Sequence, residues 1–390
     1  MTDFLPYGRQ SIDADDIAAV TRVLKSAYLT TGPEIPAFEG EFAAAVDAPY
    51  AVACNSATAA LHLALDALGV GPGDACIVPT ITFLATANAA RYCGAQLVFA
   101  DVDAQTGLLT PETLDDAVTR AEGRAKAVLP VHLAGALCDM EAIAGATREA
   151  GLKIVEDSCH ALGSVDANGD PAGACRWSDA ATFSFHPVKT LASGEGGMVT
   201  TRDHERAAHM ARARSHGVER DPQRFQRPEL KDAPWAYEQH QLGWNHRMPD
   251  ILAALGRSQL AKLPRFAAKR RALAAAYESA LADLAPLVRA PVRQPGVDPC
   301  RHLMNVAIDF AAARVSRAEV MARLKERGVG SQVHYIPVHT QPYYRALYGD
   351  AHLPGAEAYY ERTLSLPLFP DMETADVERV IEALRAALER

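Results

Sequence analysis

The chain has 390 residues, 49% hydrophobic and 22% charged, which is enough for two domains around a large core. Its 39 basic and 48 acidic side chains give a formal net charge of -9; this argues against a nucleic-acid surface, because affinity for phosphate backbones comes from clustered Lys and Arg. The seven cysteines are scattered with no Cys-x-x-Cys pair, so neither a disulfide framework nor a metal site is expected, and with no secretion signal in "MTDFLPYGRQ" and no long apolar run the expectation is a cytoplasmic protein without a membrane partner.

The first element is "DADDIAAVTRVLKS", residues 13–26, whose apolar spacing and acidic first turn predict a helix. From about residue 50 short apolar runs follow one another: "YAVAC", "ACIVP", "AQLVFA", "AKAVLPVH" and "LKIVED". Longer helical stretches such as "ATAALHLALDALG" separate them. Strands apolar on both faces, alternating with helices, predict an α/β fold with a mostly parallel sheet covered on both sides. Near residues 180–200 the strands "ATFSF" and "GMVT" follow closely, which predicts an antiparallel edge. Residues 203–233 are polar and charged and read as an exposed loop or flap. A long helical pattern starts at Asp250, with Pro264 expected to break it. The remainder reads as a smaller α+β domain, giving a large domain over 1–250 and a small one over 251–390.

Three features carry candidate chemistry. In "CNSATAALHLAL" Asn55 or Ser56 caps a helix, and the free N–H groups of Ala57 and Thr58 suit a phosphate as well as they suit a plain helix start. In "KIVEDSCHALG" Asp157 ends an apolar strand, with His160 three residues on. A carboxylate there pairs with a cationic ring nitrogen or caps a helix; the two readings are evenly matched. In "FSFHPVKTLASGEGG" Lys189 lies between a strand and a glycine cluster. An amine that forms a Schiff base must have its pKa depressed, whereas a lone lysine is more often one whose stem snorkels to the surface. Taken together the three fit one ligand, pyridoxal 5'-phosphate (PLP): phosphate at 57–58, ring nitrogen at Asp157, aldehyde on Lys189. Ser184 adds a hydroxyl toward the phosphate, and Phe83 in "PTITF" can stack on the ring.

The order "NSAT", "PTITF", "EDSCHALG", "FSFHPVK", "GEGG", "LGWNHRM" resembles the DegT/DnrJ/EryC1/StrS sugar aminotransferases. The resemblance implies fold type I of PLP-dependent transferases (aspartate aminotransferase-like), with a large mixed sheet domain and a smaller C-terminal domain. It makes Lys189 the Schiff-base lysine and proton shuttle, Asp157 the partner of the ring nitrogen, and His160 its neighbour. Ala57, Thr58 and Ser184 would hold the phosphate, joined by Asn245 of a partner subunit. Tyr7, the segment Ala27, Tyr28, Leu29 and Thr30, then His186, and Gln332, Val333, His334 and Tyr335 would line the nucleotide-sugar side. A homodimer with shared active sites is implied, with glutamate as the amino donor. "YLTTG", "FSFHPVK", "RH" at 301–302 and "QVHY" resemble the branch acting at C4 of UDP-linked 4-keto sugars, in particular that of pseudaminic acid biosynthesis. The related branch acting on a 4-keto-pentose is the nearest rival, and a sugar-nucleotide-binding regulator is the non-enzymatic one.

Overall fold

The computed structural model describes residues 4–148 and 150–389. Two helices open the chain, α1 (Ala14–Leu24) and α2 (Glu34–Ala45). Asp13 caps α1: its carboxylate accepts from the Asp15 and Asp16 amides, and the Asp16 carboxylate accepts from the Asp13 amide. Asp16 is almost fully buried because α1 docks on a later helix, where Gln259 and Ser258 donate to its carboxylate.

The apolar runs fold as expected. They form β1 (Tyr50–Cys54), β2 (Ala75–Pro79), β3 (Gln96–Ala100), β4 (Ala125–Val128) and β5 (Lys153–Asp157). Between them lie α3 (Ala57–Ala67), α4 (Leu84–Tyr92), α5 (Pro111–Arg120) and α6 (Met140–Arg148). Then come β6 (Ala180–Ser184) and β7 (Gly197–Thr201). The seven strands form one sheet in the order β1-β7-β6-β5-β4-β2-β3. All neighbours are parallel except those of β7, which runs against both β1 and β6. The reversed strand is therefore not the edge: β1 lies outside it, paired from Tyr50↔Thr201 to Cys54↔Gly197. The larger core takes in residues of α3 to α6 and of consecutive, oppositely facing positions of β2; a separate cluster packs Phe42 edge to face against Phe38, Phe183 and Phe185, contacts worth about 1 kcal/mol each beyond their area.

The polar stretch from 203 is only partly a loop. It opens with helix α7 (His204–Ala213), capped by Asp203, whose Ala207, Met210 and Ala213 face inward. The rest carries a short hairpin, β8 (Val218–Glu219) with β9 (Glu238–Gln239). Then α8 (Asp250–Ala261) and α9 (Leu263–Leu281) follow, separated at Lys262. Pro264 lies in the first turn of α9, where its missing N–H has no cost. The last part contains β10 (Val288–Arg289), α10 (Phe310–Ala313) and α11 (Arg317–Glu326), with β11 (Met304–Ile308) between the first two. It closes with α12 (Pro342–Tyr348), α13 (Pro354–Arg362), β12 (Thr363–Leu366) and α14 (Thr374–Leu388). β10, β11 and β12 form an antiparallel sheet over a second core. Core membership crosses residue 250 in both directions: Leu5 packs into the second core, while Val338, Tyr344 and Tyr359 join the first. No helix among the described residues is long and apolar enough to cross a membrane.

Candidate active site

β1, β2, β5 and β6 run in one direction and end at one edge of the sheet, and β7, running the other way, starts there. Ligands of α/β sheets bind beyond such carboxyl ends. Asp157 ends β5 and is 6% exposed. No helix follows it, so it is not a helix cap. Its carboxylate instead accepts from the Thr86 hydroxyl at 2.7 Å and from the Cys159 amide at 3.2 Å. Because Thr86 donates to Asp157, the Thr82 hydroxyl, 2.7 Å from Thr86, must donate in turn. This threonine relay holds the carboxylate in one orientation.

Lys189 follows β6 through "FHPV". Its side chain is half-buried, and Nζ has no hydrogen-bond partner among the described residues. Burial pushes the amine below the ordinary lysine value, against the raising pull of Cys159 and Asp157. His160 and His334 beside it are held neutral. Burial, then Lys189, holds His160 well below the usual imidazole range, and the same two causes bring His334 to about 3. The His160 Nδ1 accepts from the Ala134 amide at 3.3 Å, so its proton sits on Nε2 and is donated to Tyr335 Oη at 3.1 Å. Ser365 Oγ donates to Asn305, so the His334 Nδ1–H donates to Ser365 at 2.7 Å and leaves Nε2 as an acceptor.

Ser56, not Asn55, caps α3, accepting from the Ala59 amide at 3.2 Å. The Ala57 and Thr58 amides in the first turn have no protein acceptor among the described residues, and a helix start of this kind favours an anion. Gly196 and Gly197 are required by packing. A Cβ on Gly197 would stand 2.4 Å from the Ser56 carbonyl oxygen and 2.7 Å from the Ala57 nitrogen. Only a bare Cα lets β7 run directly beneath the start of α3. A Cβ on Gly196 would meet Met248 at 2.7 Å. Gly197→Ala is therefore expected to lower stability by roughly 1–3 kcal/mol through overpacking, and to weaken phosphate binding by moving the two amides. A thermal melt and the cofactor content of the purified variant check this; wild-type values for both would contradict it.

These segments enclose one cavity of about 640 Å³. Ala57, Thr58, Asp157, His160, Ser184 and Lys189 all line it. So do Tyr7, Phe83, His186 and the run Gln332, Val333, His334 and Tyr335. Phe83 is 58% exposed, its ring 6.1 Å from that of Tyr335. Two sequence choices lie outside the cavity of the chain that carries them. Ala27, Tyr28, Leu29 and Thr30 are exposed, in a loop that Asp250 fixes through the Gly32 amide at 2.8 Å. Asn245 is exposed, its carbonyl accepting from Asn55 at 3.4 Å. Sequence reasoning missed Thr86, which has no local signal beyond its type, and gave His302 no site role although "RH" at 301–302 was among the motifs of the resemblance. His302 lines the cavity and its ring lies 4.6 Å from that of His160.

The family model described as "DegT/DnrJ/EryC1/StrS aminotransferase family" matches residues 10–385. The chain is 42% identical, over 98% of its length and 96% of the relative's, to the spore coat polysaccharide biosynthesis protein SpsC of Bacillus subtilis (strain 168). Among solved structures it is similar to Helicobacter pylori PseC, an aminotransferase involved in the biosynthesis of pseudoaminic acid, with TM-score 0.89 and 28% identity over 99% of each chain. It is equally similar in fold, at TM-score 0.89 and 28% identity over 99% of this chain and 98% of the other, to Spr1654 from Streptococcus pneumoniae in its PLP form.

Proposed function

Because the chain belongs to the DegT/DnrJ/EryC1/StrS aminotransferase family, a family of PLP-dependent enzymes of fold type I, we propose that it transfers an amino group from glutamate to C4 of a UDP-linked 4-keto-6-deoxy-N-acetylhexosamine. The sugar is UDP-2-acetamido-2,6-dideoxy-β-L-arabino-hex-4-ulose, and the pathway that of pseudaminic acid. The observation that carries the catalytic part is the partnerless amine of Lys189 in the same cavity as the Asp157 carboxylate and the free amides of α3.

The residues fit the cofactor. The amides of Ala57 and Thr58 and the Ser184 hydroxyl would hold its phosphate, and Asp157, fixed by Thr86, would face its ring nitrogen. When bound, PLP supplies a reactive carbonyl and an electron sink, and carries the amino group between two substrates. Asp157 would keep a proton on the cofactor's ring nitrogen, because its negative charge favours the cationic form. Lys189 is held largely as the free amine at less basic pH than an exposed lysine, so it can take and return a proton at the substrate carbon. His160 stays neutral, its Nε2–H directed at Tyr335, and adds no positive charge that would compete for Asp157. Tyr7 and Gln332 to Tyr335 form the remaining wall, on the side assigned to the sugar nucleotide.

The protein is further proposed to act as a homodimer with shared sites. Asn245 would reach the partner's phosphate, and the exposed 27–30 loop would serve the partner's cavity. Lys189→Ala and Asn245→Ala chains, each inactive alone, should regain up to about a quarter of wild-type activity when mixed in equal amounts and exchanged, since half of the dimers are then heterodimers and one site of each keeps both groups. No recovery despite demonstrated exchange would count against a shared site.

The kinship with PseC supports the sugar assignment, and kcat/KM with glutamate tests it for the arabino sugar, its C5 epimer and the 4-keto-pentose. A missing methyl costs about 1–3 kcal/mol of discrimination, and a polar group that the pocket must satisfy costs more. The N-acetyl group should therefore matter more than C6. A preference for the pentose would overturn this sugar while leaving the aminotransferase intact.

A further inference from the structure

Behind the cavity wall, Arg270 of α9 is 0% exposed, and it forms no ion pair with any carboxylate among the described residues. Its Nη1 donates to three carbonyl oxygens: Leu368 at 3.0 Å, His302 at 3.2 Å and Arg301 at 3.3 Å. Its Nε and Nη2 are buried without a partner. An unpaired buried guanidinium costs stability, and an apolar side chain of similar volume often packs more stably. Retention of such a group calls for a role beyond packing.

The clamp reaches the cavity through His302, 3% exposed. The His302 Nδ1 is buried without a partner, so this nitrogen does nothing to orient the ring. The backbone places it: the His302 amide donates to the Ala134 carbonyl at 3.1 Å and its carbonyl accepts from Arg270. The Ala134 amide in turn donates to His160 Nδ1. One residue, Ala134, and one guanidinium thus set two rings that lie 4.6 Å apart at 39°.

We propose that Arg270 is a positioning residue of the Lys189 site, fixing the 301–302 backbone so that the His302 ring stays packed against His160. This rests on reading that cavity as the site of transamination. The charged and titratable groups facing His302 are His160, Lys189, Arg270 and His334; burial first, then these groups, keep its imidazole well below the usual range. Removing the Arg270 charge takes away one influence opposing protonation, so the His302 pKa should rise and the ring should gain its proton at higher pH.

The test is a pH titration of ring nitrogens by NMR in histidine-labelled holoprotein, with His302→Ala identifying the signal. The wild-type His302 ring should titrate well below the usual imidazole range. In Arg270→Met its titration should move up by roughly 1 unit, and in Arg270→Lys it should return most of the way. Reduction of the bound cofactor by glutamate should slow about 10-fold or more in Arg270→Met with KM little changed, and His302→Ala added to it should cost little further, as expected of groups acting as a unit. Unchanged His302 signals in folded Arg270→Met, or losses that multiply in the double variant, would overturn the proposal. If Arg270→Met fails to fold, Arg270→Gln, which keeps a donor but no charge, is held to the same criteria. Ring titration needs no turnover, so it reports the Arg270–His302 coupling even if the transamination reading fails.

Discussion

Lys189→Ala is expected to reduce transamination by roughly 10³-fold or more, because in the proposed mechanism one amine serves both as attachment point and as proton carrier, and general acid–base catalysis alone contributes about 10²–10⁴-fold. The fold should be kept. The side chain is half-buried and its Nζ makes no hydrogen bond among the described residues, so truncation orphans no buried group. The variant should still hold cofactor through the α3 amides and Asp157, now without a covalent link. Single-turnover reduction of the bound cofactor by glutamate, together with a melting curve, separates loss of chemistry from loss of structure. Turnover within about tenfold of wild type would mean that the proton moves elsewhere.

Asp157→Asn is expected to lower kcat by roughly 10²-fold or more at nearly unchanged size and shape, since a neutral amide cannot hold a proton on the facing ring nitrogen. Thr86 gives a graded control. Its hydroxyl donates to the carboxylate at 2.7 Å, and hydrogen bonds to charged groups are worth about 1.5–3 kcal/mol. Thr86→Val should therefore cost about tenfold in kcat with a smaller effect on KM. A fully active Asp157→Asn would reduce Asp157 to a residue that merely fastens the turn at Cys159.

The central sheet was legible because five of its strands are short apolar runs bounded by turn residues, and the three features that define the cavity sit directly after strands, where the fold places ligands. Adjacency of that kind is local and can be read. What was lost depends on contacts between distant segments. β7 looked like an edge because nothing near it announces that β1 pairs with it from Cys54↔Gly197 onward. α7 was read as loop because only Ala207, Met210 and Ala213 face inward on an otherwise charged helix. Thr86 meets Asp157 across 71 residues, and Arg270 meets Leu368 across 98. The need for a glycine at 197 likewise comes from a distant segment, since a Cβ there would meet the Ser56 peptide. The 27–30 loop and Asn245 resemble site residues in sequence yet lie outside the cavity of their own chain, where one chain's contacts do not fix a role for them.

The most direct measurement is to reduce the purified holoprotein with borohydride, digest it and locate the cofactor by mass spectrometry. Borohydride makes permanent a link between PLP and a lysine amine. The account predicts one modified peptide, carrying the adduct on Lys189, and none when the reduced protein is Lys189→Ala. An adduct on another lysine, or bound PLP that leaves no adduct at all, would contradict it.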